Sequence, residues 1–312
     1  MLSSFTVVLP IFMLMSSGWV VRRRGIVSER ACGELNKLVV HLALPALLFS
    51  VVAHASLGEL WMPDFLLGFG LSAAAIFAVT FALRLTIIGS VPIATIDALT
   101  AGYSNTGFIG FPLALAVFGQ QAMVPTLIAT LVTVCVMFAV AIFMVELASQ
   151  SSAGTPIRVI LRVLGSLARN PLLLGPALGL AFPLSGLAVP QVIDTYTKLL
   201  GSAAPPCALV CLGYFLAEKR PAEVTEWGLV AALTGLKLVL QPAIALATCA
   251  LLGLPPFLTQ VAVLMAALPT GTGPFMLSEL YGTQAETTAK AILLSTTISI
   301  VTLSFCLLLV AN

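Results

Sequence analysis

Eight long stretches of this chain carry no charged side chain: residues 1–21, 38–58, 65–83, 98–145, 170–193, 199–217, 238–278 and 291–312. A helix rises 1.5 Å per residue and the hydrocarbon core of a bilayer is about 30 Å thick, so roughly 20 residues make one crossing. Each stretch is about that long, and the two longest hold parts of two crossings each. Charged residues are only 8% of the 312, where about a quarter is usual in a soluble domain, and 60% are hydrophobic. A water-soluble globule is excluded. The expected fold class is an all-α polytopic membrane protein.

A net charge of +2 offers no basic surface for nucleic acid, so that partner is not expected. The cysteines, Cys32, Cys135, Cys207, Cys211, Cys249 and Cys306, lie almost entirely in apolar runs without the paired spacing or nearby histidine that zinc needs. They read as small apolar fillers, and neither metal nor cofactor is expected.

Turn signals divide the two longest stretches, at Gly119-Gln120-Gln121 and at Leu252-Gly253-Leu254-Pro255-Pro256. Ten transmembrane helices result, near 3–21, 32–54, 62–86, 92–118, 122–147, 164–183, 190–217, 226–252, 256–281 and 285–311. Arg22, Arg23, Arg24, Arg30, Arg84, Arg158, Arg162, Arg169, Lys219, Arg220 and Lys290 all fall in or beside alternate connections. By the positive-inside rule those connections are cytoplasmic, and both termini are expected on the non-cytoplasmic side. The first segment has no positive start and runs straight into three arginines, which fits a first transmembrane helix better than a secretory signal. Connections of at most about 20 residues leave no room for a soluble catalytic domain.

The chain also repeats itself. Lys37-Leu38 and Pro45 match Lys198-Leu199 and Pro206 at an offset of 161, and Phe118-Gly119-Gln120-Gln121-Ala122 falls on Tyr281-Gly282-Thr283-Gln284-Ala285 at 163. Two five-helix repeats are expected, residues 1–150 and 151–312. Because five is odd, the second enters the membrane from the other side, giving an inverted 5+5 repeat. Secondary transporters use such repeats with interrupted helices that meet near the midplane.

The fourth and ninth predicted helices carry the interruptions. One holds Tyr103-Ser104-Asn105-Thr106-Gly107-Phe108-Ile109-Gly110-Phe111-Pro112, the other Leu268-Pro269-Thr270-Gly271-Thr272-Gly273-Pro274. Proline removes a backbone donor and clashes with the preceding turn, and glycine weakens the helix further. Freed backbone groups in hydrocarbon cost several kcal/mol each unless protein or a polar cavity receives them. The interleaved Ser104, Asn105, Thr106, Thr270 and Thr272 suit such a cavity. A plain proline kink satisfied by hydroxyls is the alternative for either run taken alone. If both helices break, each second half starts near the midplane with free amides and a positive dipole end, and an anion is the natural guest.

Lys237 lies about ten residues into the eighth predicted helix, some 15 Å deep, in Lys237-Leu-Val-Leu-Gln241-Pro242. A lysine at that depth is a functional candidate by default. It can equally be structural, bonded to carbonyls freed by Pro242 or by the broken helices, and both readings stay open. Lys37 and Lys198 lie close to helix ends and read as snorkelling anchors.

With these residues in hand, the sequence resembles the auxin-efflux-carrier family of membrane transporters. The resemblance runs along the whole chain. It takes in Leu9-Pro10 through Gly18 and Arg22-Arg23-Arg24-Gly25, then Leu44-Pro45-Ala46-Leu47-Leu48-Phe49, and Asn105-Thr106 with Gly110-Phe111-Pro112. It continues with Arg169-Asn170-Pro171 and Gly175, Pro206 to Gly213, Lys237 with Pro242, and Ala267-Leu268-Pro269 to Pro274-Phe275. The resemblance implies helices 1, 2, 6 and 7 as a scaffold and helices 3–5 and 8–10 as a mobile transport domain. It implies substrate binding beside the crossover of helices 4 and 9, with the family's asparagine at Asn105 and its crossover proline at Pro112. Two features differ from the plant carriers: Ser104 stands where they have proline, and their long central loop shrinks here to about Glu146 to Arg162. A small organic anion, a carboxylate, in a bacterial inner membrane is expected rather than auxin.

The candidate substrate-binding residues are Asn105, Thr106, Gly107, Pro112, Pro269, Thr270, Gly271, Thr272, Pro274, Lys237 and Gln241. The expected function is a secondary or potential-driven carrier of that anion working by elevator-like displacement, with the bilayer and a second copy of the chain, met through the scaffold helices, as partners. A sodium-coupled symporter is the runner-up. An intramembrane enzyme would need a base and nucleophile or paired carboxylates, and Asp97 and Glu279 lie some five to eight residues from the crossover without a companion histidine. A channel would need a continuous polar stripe, which these helices lack outside the crossover. Neither interrupted run holds Asp or Glu for a sodium site, so sodium-independent transport is expected. It would be driven by potential or linked to protons through Asp97, Glu279 or His41, the last also readable as a scaffold histidine bonded to a carbonyl.

Overall fold

The computed structural model describes residues 2–149, 165, 171–217 and 226–310. Their secondary structure is helical apart from one isolated antiparallel bridge, Ser104 to Thr270. In chain order the main helices are α1 (Leu2–Arg23), α2 (Gly33–Ala53), α3 (Pro63–Ile88), α4 (Val91–Gly102), α5 (Thr106–Phe118) and α6 (Gln120–Ala148). They continue with α7 (Pro171–Ser185), α8 (Gln191–Ala217), α9 (Trp227–Leu251), α10 (Pro256–Ala267), α11 (Gly273–Tyr281) and α12 (Ala285–Val310).

Six described runs are long and apolar enough to cross a membrane: Gly33–Ala53, Leu57–Ile88, Gln120–Ala148, Gln191–Ala217, Trp227–Leu251 and Ala285–Leu308. Four apolar helices, α4, α5, α7 and α10, are shorter. Two expected crossings are therefore not continuous helix: α4 stops at Gly102 and helix resumes at Thr106, while α10 stops at Ala267 and α11 begins at Gly273. Two other prolines, Pro45 and Pro242, do not break their helices. Pro45 and Pro242 each follow a π-helical turn, Val39–Ala43 and Leu236–Leu240. The wider turn accommodates a residue that cannot donate and whose ring presses on the turn before it. Residues 150–164, 166–170, 218–225 and 311–312 lie outside the described residues, and with them the repeat boundary at 150 and 151, Arg158, Arg162, Arg169, Lys219 and Arg220.

The chain divides into two compact units. The first comprises Met1–Met62, Gly107–Leu127 and Ala168–Lys219. Here α1 packs on the second half of α8 with backbones nearly touching. A β-carbon added to Gly18 would lie 2.3 Å from the Val210 carbonyl oxygen, and one on Gly213 would lie 2.0 Å from that of Met15. In lipid, where apolar side chains gain little by leaving their surroundings, such small-residue contact is a main source of helix association. Gly175 of α7 meets the Pro45 backbone of α2 in the same way. Between α2 and α8, Val39, Ala43, Leu44, Ala204 and Ala208 form a buried cluster.

The second unit comprises Pro63–Thr106, Ile128–Leu167 and Arg220–Asn312. Its two short helices are buried all round: every residue from Ala94 to Gly102 in α4 and from Val261 to Ala267 in α10 is in the interior. The buried stretch of α10, Val261 to Ala267, is apolar on every face, while α4 buries Asp97 against Arg84, whose Nε donates to Asp97 Oδ2 at 2.7 Å. Ala73, Leu99, Tyr103, Met137, Ala141 and Leu277 pack together on one side, and Ile76, Ala101 and Leu233 on another.

Candidate functional site

Helices that stop inside a protein leave their last carbonyls and the following backbone without partners. In the second unit the two interrupted segments satisfy each other. The Asn105 amide donates to the Pro269 carbonyl at 2.9 Å, and the Gly271 amide donates to the Tyr103 carbonyl at 2.9 Å, closing the antiparallel bridge between Ser104 and Thr270. The Thr270 hydroxyl donates to the Thr100 carbonyl at 3.0 Å, and the Thr270 amide donates to Ser295 Oγ of α12 at 3.2 Å. Two short extended segments joined by a single bridge thus stand where two helices would otherwise run.

Helix α9 supplies the remaining caps. Lys237 Nζ donates to the Ala266 carbonyl at 2.6 Å, at the end of α10, and Gln241 Nε2 donates to the Gly102 carbonyl at 3.2 Å, at the end of α4. The two residues stand one turn apart on one helix face, and both are fully buried. Gly271 and Gly273 exist for close approach: a β-carbon on Gly273 would lie 2.5 Å from Tyr103 Cζ, and one on Gly271 would lie 2.9 Å from the same ring. The ring is also set edge-on to Phe138, with centroids 6.3 Å apart.

Ser104 Oγ, Thr106 Oγ1 and Gln241 Oε1 are buried polar atoms without a hydrogen-bond partner among the described residues. Buried polar groups are nearly always bonded, so each of these atoms calls for an explanation. Asn105 is buried beside them.

The sequence-derived candidates divide by location. Asn105, Thr106, Pro269, Thr270, Gly271, Thr272, Pro274, Lys237 and Gln241 all belong to the second unit. Gly107 and Pro112 belong to the first, where Pro112 opens the regular helix Phe111–Phe118. Asp97 lies on α4, six residues before Tyr103, fully buried, with its Oδ2 accepting from Arg84 Nε at 2.7 Å. His41 is exposed, with Nδ1 3.1 Å from the Lys37 carbonyl. Glu279 lies on α11, and its side chain is outside the described part of the structure. No cluster of three or more metal-ligating side chains occurs among the described residues. Sequence reasoning missed Thr100, Tyr103 and Ser295. A signal existed for Ser295: Thr288, Ser295 and Ser299 recur at helical spacing on one face of α12, and all three are fully buried.

Apolar helices interrupted around a self-paired polar crossing define a membrane transport protein. The chain belongs to the family described as "Membrane transport protein", which matches residues 3–307 and includes the auxin efflux carriers. Among its relatives is a Rhizobium meliloti protein named "Putative malonate transporter", 32% identical over 98% of this chain and 95% of its own length. An uncharacterized transporter of Methanocaldococcus jannaschii is 24% identical over 96% of both chains. The "Auxin efflux carrier component 8" of Arabidopsis thaliana is 28% identical over 51% of this chain and 44% of its own. The family and these relatives are transporters, not enzymes.

Proposed function

We propose that the chain carries a small organic anion, a carboxylate of malonate size, across a bacterial inner membrane. The observation that carries this reading is the self-paired crossing at Ser104 and Thr270, with the orphan polar atoms around it and both preceding helix ends capped from α9. Each break is followed by a fresh helix, beginning at Thr106 and at Gly273. A helix amino end presents unpaired N–H groups and a positive dipole pole, the chemistry that receives a carboxylate. The relative named for malonate supports the substrate class.

The architecture in this reading is ten crossings in an inverted 5+5 repeat, with α4 plus α5 as one broken crossing and α10 plus α11 as its repeat partner. The transport domain, helices 3–5 and 8–10 of the ten, moves like an elevator against a scaffold of helices 1, 2, 6 and 7, through which two copies pair. Both termini face away from the cytoplasm. An anion leaving an interior-negative cell gains about 2.3 kcal/mol per charge at 100 mV, so export needs no coupled ion. Flux of labelled malonate and related carboxylates into liposomes containing the pure protein tests the proposal. Saturable flux of such an anion above protein-free liposomes is the expected result, and a screen of small carboxylates with no flux overturns it.

A further inference from the structure

Helix α1 of the first unit buries Met15 and Gly18 against α8 and leaves another face uncovered, with Leu9, Met13 and Val20 exposed at helical spacing. In a chain that spans a membrane, such an apolar face is turned to lipid. Arg23 and Arg24 follow Val20 by three and four residues, so they end the same stripe, and both are exposed. The arginines therefore stand at the lipid boundary.

The turn beyond them is held in one shape. The Arg24 amide donates to the Val20 carbonyl at 2.9 Å, that of Gly25 to Arg22 at 3.1 Å, and that of Ile26 to Val21 at 3.2 Å. Gly25 has φ 70°, the left-handed conformation that commonly ends a helix. Arg22 Nη1 donates to the Val27 carbonyl at 3.4 Å, and Val27 packs with Val21 and Leu35 on Cys211 and Tyr214 of α8. With Val27 turned inward, Ile26 is turned out and is 71% exposed. The Arg23 guanidinium lies over the Trp19 ring, 5.3 Å from its centroid, and Arg30 is exposed a few residues on. Between residues 22 and 30 four arginines stand against one acid, Glu29, and the next acid, Glu34, is bound by Lys37 at 2.9 Å.

We propose that this turn binds the head group of an anionic phospholipid. The guanidinium fork matches the geometry of a phosphate, and a cluster of basic residues just beyond a membrane helix attracts acidic lipids. Trp19 and Ile26 supply the apolar part of the site, at the level where tryptophans settle between head groups and chains. Position selects a lipid over a soluble anion: a head group whose chains lie along Leu9, Met13 and Val20 meets Arg23 and Arg24 without leaving the bilayer. Charge selects an anionic lipid, since the choline of phosphatidylcholine cancels the charge of its own phosphate. The site lies within the first unit and does not depend on which anion the chain carries.

The test reads Trp19 alone, in a background of Trp61→Phe and Trp227→Phe, with the full chain in vesicles of equimolar phosphatidylcholine and phosphatidylglycerol. One lipid at a time carries brominated acyl chains, which quench a tryptophan they touch. We expect phosphatidylglycerol to be favoured over phosphatidylcholine at Trp19 by roughly threefold or more, and Arg23→Gln, Arg24→Gln and Arg30→Gln together to bring the ratio to about one. Arg158→Gln with Arg162→Gln, which removes charge from a different connection, should leave the ratio unchanged. Arg24→Gln alone, at an exposed position, should lower it and carries the test if the triple variant does not fold. Equal quenching by the two lipids, or a preference that survives loss of the arginines, would overturn the proposal. A preference abolished by free glycerol phosphate at constant ionic strength would also overturn it, by making the site one for a soluble anion. Quenching by neither lipid would mean that protein, a second copy included, covers this face, and the proposal would fall.

Discussion

Lys237 Nζ, fully buried in α9, donates a 2.6 Å hydrogen bond to the carbonyl of Ala266, 29 residues on, at the point where α10 stops. Lys237→Met keeps the bulk and removes the cap. Leaving a buried carbonyl without its partner costs about 1–3 kcal/mol. The expected result is a lower melting temperature together with weaker anion uptake. Loss of stability with uptake per folded molecule unchanged would make the lysine a cap alone.

Asn105→Ala removes a buried amide side chain next to the Ser104–Thr270 bridge and leaves the Asn105 backbone bond to Pro269 in place. Transport should fall at least tenfold, about 1.4 kcal/mol, with expression intact. Liposome flux at matched protein content measures it, and wild-type rates would remove Asn105 from the site.

Gly273→Ala drives a methyl group to 2.5 Å from Tyr103 Cζ, so the ring or the start of α11 must shift. Overpacking of this kind costs about 1–3 kcal/mol. Thermal unfolding should show that loss, and Tyr103→Leu in the same chain should restore part of it. A neutral Gly273→Ala would mean that the ring does not lie where it is described.

Two helix glycines should respond with opposite sign. Gly213→Ala meets the Met15 backbone at 2.0 Å and should destabilise, while Gly228→Ala meets nothing within 4 Å. Alanine is a better helix former than glycine by about 1 kcal/mol, so the second change should be neutral or stabilising. Melting temperatures of the two variants compare them directly.

Flux should not depend on sodium. Replacing it by potassium or choline at fixed pH and membrane potential should change the rate less than fivefold, and a greater loss would favour a sodium-coupled symporter.

The polytopic class was legible because it rests on composition along the chain: eight charge-free runs can be read without knowing what touches what. The break between α10 and α11 was legible for a similar reason, whereas the one at 103–105 precedes Gly107, Gly110 and Pro112, which stand in the resumed helix. Pro269, Gly271, Gly273 and Pro274 within six residues exclude regular helix by local backbone geometry alone. Even the dual character of Lys237 could be read, since a deep lysine needs either a ligand or a carbonyl.

The partners could not be read, because they are set by packing between segments far apart in the chain. That Lys237 serves Ala266 while Gln241, one turn on, serves Gly102 depends on where α9 lies against α4 and α10. The same holds for Ser295, which reaches the Thr270 amide from 25 residues away. Likewise, residues 107–127 join α1, α2, α7 and α8 in one compact unit, a grouping that no spacing along the chain encodes. His54 shows the division most clearly. The sequence contains the histidine and an aspartate 140 positions later, but only the folded chain brings Nε2 to 3.1 Å of the carboxylate while Nδ1 meets a carbonyl. The sequence by itself determined where the chain is apolar and where its helices fail, which are local properties of residues. The tertiary structure decided which freed polar groups meet, because those distances follow from helix packing.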